Sequence, residues 1–205
     1  MKIKNSIEYF WNFYKWQLLC VFILLILGIS FLVTALFQKE CALSVMLLDC
    51  YTEVSSESME KDILQVLQLD ERKFAVEMQN NFMLENTEAG GYTMTSISRF
   101  LADIGSEKLD VCGMLENSFQ EYDESGAFLD LRLCFDEVQL LCLQDALVIA
   151  DDGRVIGLYA NCLPGLQRDG CYDSPDDKGI IGIIYNTGNL ENAKTYLMYL
   201  AGMTE

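Results

Sequence analysis

Apolar positions along the chain fall into two regimes. From Trp16 to Phe37 the sequence reads WQLLCVFILLILGISFLVTALF, an uncharged run in which only Gln17, Ser30 and Thr34 are polar. As a helix rising ~1.5 Å per residue it spans roughly 30 Å, the hydrocarbon thickness of a bilayer. Beyond it, short apolar stretches alternate with amphipathic ones. Ala42–Cys50 reads as a buried strand. Ser55 and Ser56 then cap a helix through about Gln68, with Met59, Ile63, Val66 and Leu67 on one face. Lys73–Gln79 alternates as a second strand. A helix over Thr93–Ile104 places Ile97, Phe100, Leu101 and Ile104 on one side and ends at Gly105 as its C′ residue. Leu109–Met114 is a third strand and Glu116–Tyr122 a short helix. Asp130–Leu143 reads as helical, with a less regular period. Ala146–Ala150 and Val155–Ala160 flank Asp151-Asp152-Gly153-Arg154, a hairpin signal. Gly179–Tyr185 is the last strand and Asn189–Ala201 the last helix, with Leu190, Ala193, Leu197 and Leu200 on one side. Strands alternating with helices predict an α/β domain with a mixed sheet.

Charge orients the apolar run. Lys2, Lys4 and Lys15 precede it with only Glu8 against them, and Lys39 beyond it is followed by Glu40. The basic side stays in the cytoplasm, and Tyr9, Trp11, Tyr14 and Trp16 supply an aromatic belt. The expectation is a cytoplasmic tail over 1–15, a transmembrane helix over 16–37 and an extracytoplasmic acidic domain over 38–205. A cleaved signal peptide would use the small-residue site at Val33 and Ala35. The run continues past it and exceeds the usual h-region of about 7–15 residues. A lipoprotein signal is disfavoured because Leu19 and Glu40 precede Cys20 and Cys41.

The chain holds 14 Lys and Arg against 31 Asp and Glu, for a net charge of −17. With three of the lysines in the tail, the domain is more acidic still. Nucleic acid and anionic lipid surfaces both need clustered Lys and Arg, so neither is an expected partner of the domain. The chain has no histidine, which removes the imidazole base that serine and cysteine triads use. Eight cysteines occur without a CxxC, so neither a zinc site nor any cofactor is expected. Cys50, Cys112, Cys134 and Cys142 sit in apolar settings. Cys162 and Cys171 flank a loop and form the favoured disulfide pair. Asp151/Asp152 and Asp176/Asp177 read as solvated turn carboxylates. The loop from Asp169 to Asp177 misses the EF-hand spacing. Gly90-Gly91 and Gly179-x-x-Gly182 lack a phosphate-loop context. No enzyme is expected. A ligand site, where one exists, belongs at the carboxyl ends of the strands. That places Thr52, Glu116, Asn117 and Asn161 beside it, each also readable as a cap or loop residue.

Two segments carry a family resemblance. Lys108–Leu131 resembles extracellular solute-binding proteins of ABC importers, through Asp110 and Val111, Phe119 and Tyr122, and Gly126, Phe128, Asp130 and Leu131. Gly182–Leu200 resembles the same family through Asn186, Asn189, Ala193, Tyr196, Leu197, Tyr199 and Leu200. The whole chain, opening with Phe13-Tyr14-Lys15-Trp16, is similar to small uncharacterised single-pass membrane proteins of Gram-positive anaerobes that carry such a domain in truncated form. The resemblance implies a mixed-sheet domain resembling a single lobe of a periplasmic-binding-protein-like fold. It also implies a binding or transport-accessory function, with a transporter or another envelope protein as partner. The alternative is a structural or protein-interaction protein of the envelope with no small-molecule ligand. Family members hold ligand between two lobes, and residues 38–205 have the length of one.

Overall fold

The computed structural model describes residues 16–17, 19–30, 39–82, 90–172 and 178–203. Contacts group the chain into two units, Met1–Lys39 and Glu40–Glu205. In the first, residues 16–17 and 19–30 are helical and exposed. Among the described residues no helix is long and apolar enough to cross a membrane. Leu18, residues 31–37 and the flanking Lys2, Lys4, Lys15, Tyr9, Trp11 and Tyr14 lie outside the described residues.

The second unit is an α/β domain on one mixed sheet. Its strands are β1 (Glu40–Leu48), β2 (Phe74–Phe82), β3 (Val111–Leu115), β4 (Leu147–Ile149), β5 (Val155–Tyr159) and β6 (Gly179–Ile183). Its helices are α1 (Ser56–Val66), α2 (Gly90–Gly105), α3 (Glu116–Glu124), α4 (Glu137–Cys142), α5 (Pro164–Arg168) and α6 (Leu190–Leu200). Short 3-10 turns occur at Leu131–Leu133 and Ala160–Cys162. The strand order is β2-β1-β3-β6-β5-β4. β1 is parallel to β2 and β3, and the remaining neighbours are antiparallel.

β2 and β3 lie on opposite sides of β1, so right-handed crossovers send α1 and α2 to opposite faces of the sheet. Period-two alternation on β1 serves both faces. Leu43, Val45 and Leu47 pack with Met59 and Ile63 of α1 and with Ala193, Tyr196, Leu197 and Leu200 of α6. Met46 and Leu48 pack with Phe100 of α2 and Phe119 of α3. On that second face Phe119 stacks on Phe128 at 3.8 Å, and Phe100 meets Tyr122 edge-on at 4.8 Å. The outer edge of β2 is partly covered: the Met78 N–H donates to the Glu60 carboxylate of α1 at 3.1 Å, which blunts strand addition there.

One buried carboxylate joins the two halves of the sheet. Asp110, 1% exposed, accepts from the Ser44 N–H at 2.8 Å, the Thr187 hydroxyl at 2.5 Å and the Asn189 amide at 3.1 Å. A buried carboxyl group is tolerated when its oxygens are hydrogen-bonded in this way. The side chain of Asn189 is thereby drawn away from the cap position of α6, where it makes no capping bond.

Two expected elements differ. The segment over 130–143 is not one helix. Asp130 gives its carboxylate to the N–H groups of Arg132 and Val155, while Asp136 starts α4 afresh with a capping box to Gln139. The end of α2 is set not by Gly105 but by Glu107, the residue with positive φ, at 56°.

Candidate functional site

β1 and β3 form the point where chain connections diverge to either side, the place where open α/β sheets admit ligands. The crevice lies beyond the carboxyl ends of these strands. β1 runs into Asp49, at φ 54°, then Cys50, Tyr51 and Thr52. β3 runs directly into Glu116 of α3. Antiparallel pairing brings the start of β6 and the end of β5 to the same end, since Leu115 faces Gly179 and Tyr159 faces Ile180.

The crevice is filled from within. α5 starts with Pro164 at N1 and closes at Gly170, whose φ of 68° turns the chain back toward the sheet. Cys171 and Tyr172 follow, and both are buried. Tyr172 lays its ring on β3 and β6 and donates its hydroxyl to the Leu48 carbonyl, at the end of β1, at 2.6 Å. Glycines make the room. A Cβ at Gly179 would stand 2.3 Å from the Tyr172 ring carbon Cγ, and one at Gly113 3.2 Å from its hydroxyl. Burial pushes the Tyr172 phenol well above its ordinary range, so it stays a donor.

Three of the four expected site residues line the rim of this end, and each is engaged locally. Thr52 donates its hydroxyl to the Asp169 carbonyl and accepts from the Val54 N–H at 3.1 Å. Glu116 accepts from the Tyr159 hydroxyl at 3.4 Å and lies 3.6 Å from the Lys178 ammonium. Burial and the Glu116 carboxylate together raise the Tyr159 phenol. Asn161 accepts from the Cys162 thiol at 3.4 Å, and its carbonyl accepts from Gln167. Asn117 is exposed in the first turn of α3. Among the described residues no hydrogen bond joins any two of the four. Sequence reasoning missed Tyr172, and it gave Cys171 to Cys162 and left Cys50 as an apolar thiol. Tyr172 touches Leu48 across 124 positions, and no local period signals such a contact.

The expected pairing of Cys162 with Cys171 does not hold. Cys162 is exposed and turned toward the Asp145 carbonyl at 3.6 Å, while Cys171 is buried against Cys50. The acidic loop continues into residues 173–177, which lie outside the described residues. Among the described residues no cluster of three or more His, Cys, Asp or Glu could hold a metal ion.

A depression of about 360 Å³ opens at the other end of the sheet, lined by Gln120, Asp123, Asp151, Asp152 and Arg154 among others. Its cation is already spent. Arg154 grips Asp123 through two bonds of 3.1 Å and Asp152 at 2.6 Å. The motif residues behave similarly. Asp110 meets Asn189, Asp130 holds Arg132, and Asn186 donates to the Ile104 carbonyl at 2.9 Å. Asp110, Asn186 and Asn189 thus fasten elements together rather than face open space.

Compared with known protein families and with characterised proteins, the sequence matches none.

Proposed function

We propose that this chain is a single-pass membrane protein whose residues 16–37 hold the acidic domain outside the cytoplasm, and that the domain works by contact with another envelope protein, as a transport accessory or a structural component. The observation carrying this reading is the Tyr172 ring in the switch-point crevice. A solute-binding lobe offers that space to its ligand, and here a side chain of the domain takes it. Surface character supports it further. Leu133, Val138 and Leu141 are 73, 71 and 67% exposed around α4, a helix with no buried residue. Val138 and Leu141 are three apart and so share a helix face. Grouped apolar side chains on an otherwise acidic surface mark protein contact.

One observation favours small-molecule binding instead. Glu116, Lys178 and Tyr159 gather a carboxylate, an ammonium and a phenol at the rim of the crevice.

The full-length chain in detergent micelles separates the two readings. A thermal-shift panel of sugars, amino acids, peptides, nucleosides and divalent cations is expected to leave the melting temperature unchanged. A photo-reactive residue at Val138 or Leu141 is expected to cross-link one discrete protein in intact membranes. A ligand at ~100 times its Kd stabilises by about 2.7 kcal/mol. A rise of roughly 5–10 °C with one compound class would therefore replace the proposal by the solute-binding reading.

A further inference from the structure

Cys50 and Cys171 are far apart in sequence and side by side in the fold. Two hydrogen bonds bracket them. Leu48, two residues before Cys50, accepts from Tyr172, the residue after Cys171. Thr52, two residues after Cys50, donates to Asp169, two residues before Cys171. The two segments therefore run alongside each other with the thiols opposed. The two thiols are neighbours, and the Thr52 side chain lies beside Cys171. Cys50 is 7% exposed and Cys171 1%. Other thiols make different contacts: Cys41, Cys112, Cys134 and Cys162 donate to backbone carbonyls.

The geometry points to Cys50 and Cys171 as a dithiol that closes into a disulfide, stapling the 169–172 segment across the ends of the central strands. The oxidant is a disulfide donor, either a small one of the glutathione type or a protein. Cys171 is the first nucleophile. The neighbouring Cys50 thiol holds the Cys171 thiolate below the ordinary thiol range, while the same contact pushes Cys50 up. Local opening of the segment gives the donor access. The Cys171 thiolate attacks one sulfur of R–S–S–R, forms the mixed disulfide and expels RS⁻, which takes up the proton Cys171 lost. Cys50 then gives up its proton and attacks the Cys171 sulfur. The Cys50–Cys171 bond forms, and the second RS⁻ leaves and takes up that proton. Two protein thiols are oxidised by two electrons, and one disulfide is reduced to two thiols. The link secures Tyr172 in the crevice covalently, where the reduced protein secures it by hydrogen bonds and packing. This inference stands apart from the partner reading above, because it is read out on the chain alone.

The full-length chain in detergent micelles is equilibrated with mixtures of oxidised and reduced glutathione, quenched with acid, alkylated after denaturation, digested and mapped by mass spectrometry. The expected product is a reductant-sensitive link between the peptides bearing Cys50 and Cys171. It should come with a melting temperature higher by roughly 5–15 °C. The exposed Cys142 and Cys162, found as glutathione adducts, report that the donor is active. Recovery of Cys50 and Cys171 as alkylated thiols beside those adducts overturns the proposal. So does a Cys162–Cys171 link, and so does a Cys50–Cys171 link that leaves the melting temperature where it was.

Discussion

Tyr172 adopts φ of 55°, in the left-handed region that costs an L-residue about 1–2 kcal/mol. Its surroundings hold it there. The ring is packed over Gly113 and Gly179, and the hydroxyl is bound to the Leu48 carbonyl. Tyr172→Phe keeps the ring and removes the donor, leaving a carbonyl at the end of β1 unsatisfied. The expected loss is about 1–2 kcal/mol, or roughly 3–6 °C in melting temperature by calorimetry. An unchanged melting temperature would mean that water replaces the hydroxyl and that the crevice is wetter than its packing implies. A backbone outlier at the place where this fold class puts its ligands is a reason to regard Tyr172 as functional rather than incidental.

Five helices end in the same device. The N–H of the residue after the left-handed position reaches back five residues, and that of the left-handed residue reaches back three. The pairs are Leu69 to Leu64 and Gln68 to Gln65, Lys108 to Asp103 and Glu107 to Ile104, and Ala127 to Tyr122 and Gly126 to Asp123. They continue with Cys171 to Leu166 and Gly170 to Gln167, then Met203 to Met198 and Gly202 to Tyr199. This is the Schellman arrangement, and glycine suits its left-handed position. Gly126, Gly170 and Gly202 supply it, whereas Gln68 and Glu107 hold it without that freedom. Glu107→Gly is therefore expected to stabilise by up to about 1 kcal/mol, a rise of roughly 2–4 °C in a thermal melt. A fall would show that the Glu107 side chain contributes more than its backbone costs. The same motif at Gly170 has a consequence for the site, because it is the turn that returns Cys171 and Tyr172 to the sheet.

For the whole molecule, the titrating groups define a stability window. Burial raises Cys112, Tyr172 and Tyr196, so folding favours their neutral forms. That stability is complete below the pKa values of the unfolded groups and is lost as pH rises past them, from about pH 9 upward. On the acid side, hydrogen bonds from Arg132 lower Asp130 and those from Arg154 lower Asp152. Their contribution is present above the ordinary carboxylate range and disappears as pH falls through it, below about pH 4. A net charge of −17 adds self-repulsion that grows with pH. Melting temperatures measured across pH 3–11 are expected to form a plateau at roughly pH 5–8 that falls on both sides, with added salt raising the alkaline limb. An alkaline limb insensitive to salt would remove self-repulsion from this account.

Local pattern alone determined much of this domain. The short apolar run of β1, the run GIIGI in β6, the Asp-Gly turn between β4 and β5 and the one-sided apolar face of α6 were all legible, because such runs, turns and periods are written in neighbouring residues. Thr52, Glu116 and Asn161 follow the carboxyl ends of β1, β3 and β5, a placement that strand direction alone gives. Tertiary structure alone decided the strand order, the partners of Asp110, the meeting of Cys50 with Cys171 and the closing of the crevice by Tyr172. Asp110 reaches Ser44 across 66 positions and Asn189 across 79, and Tyr172 reaches Leu48 across 124. Contacts of that span depend on how loops return to the sheet, and a loop residue with no period carries no local sign of the distant groups it will meet.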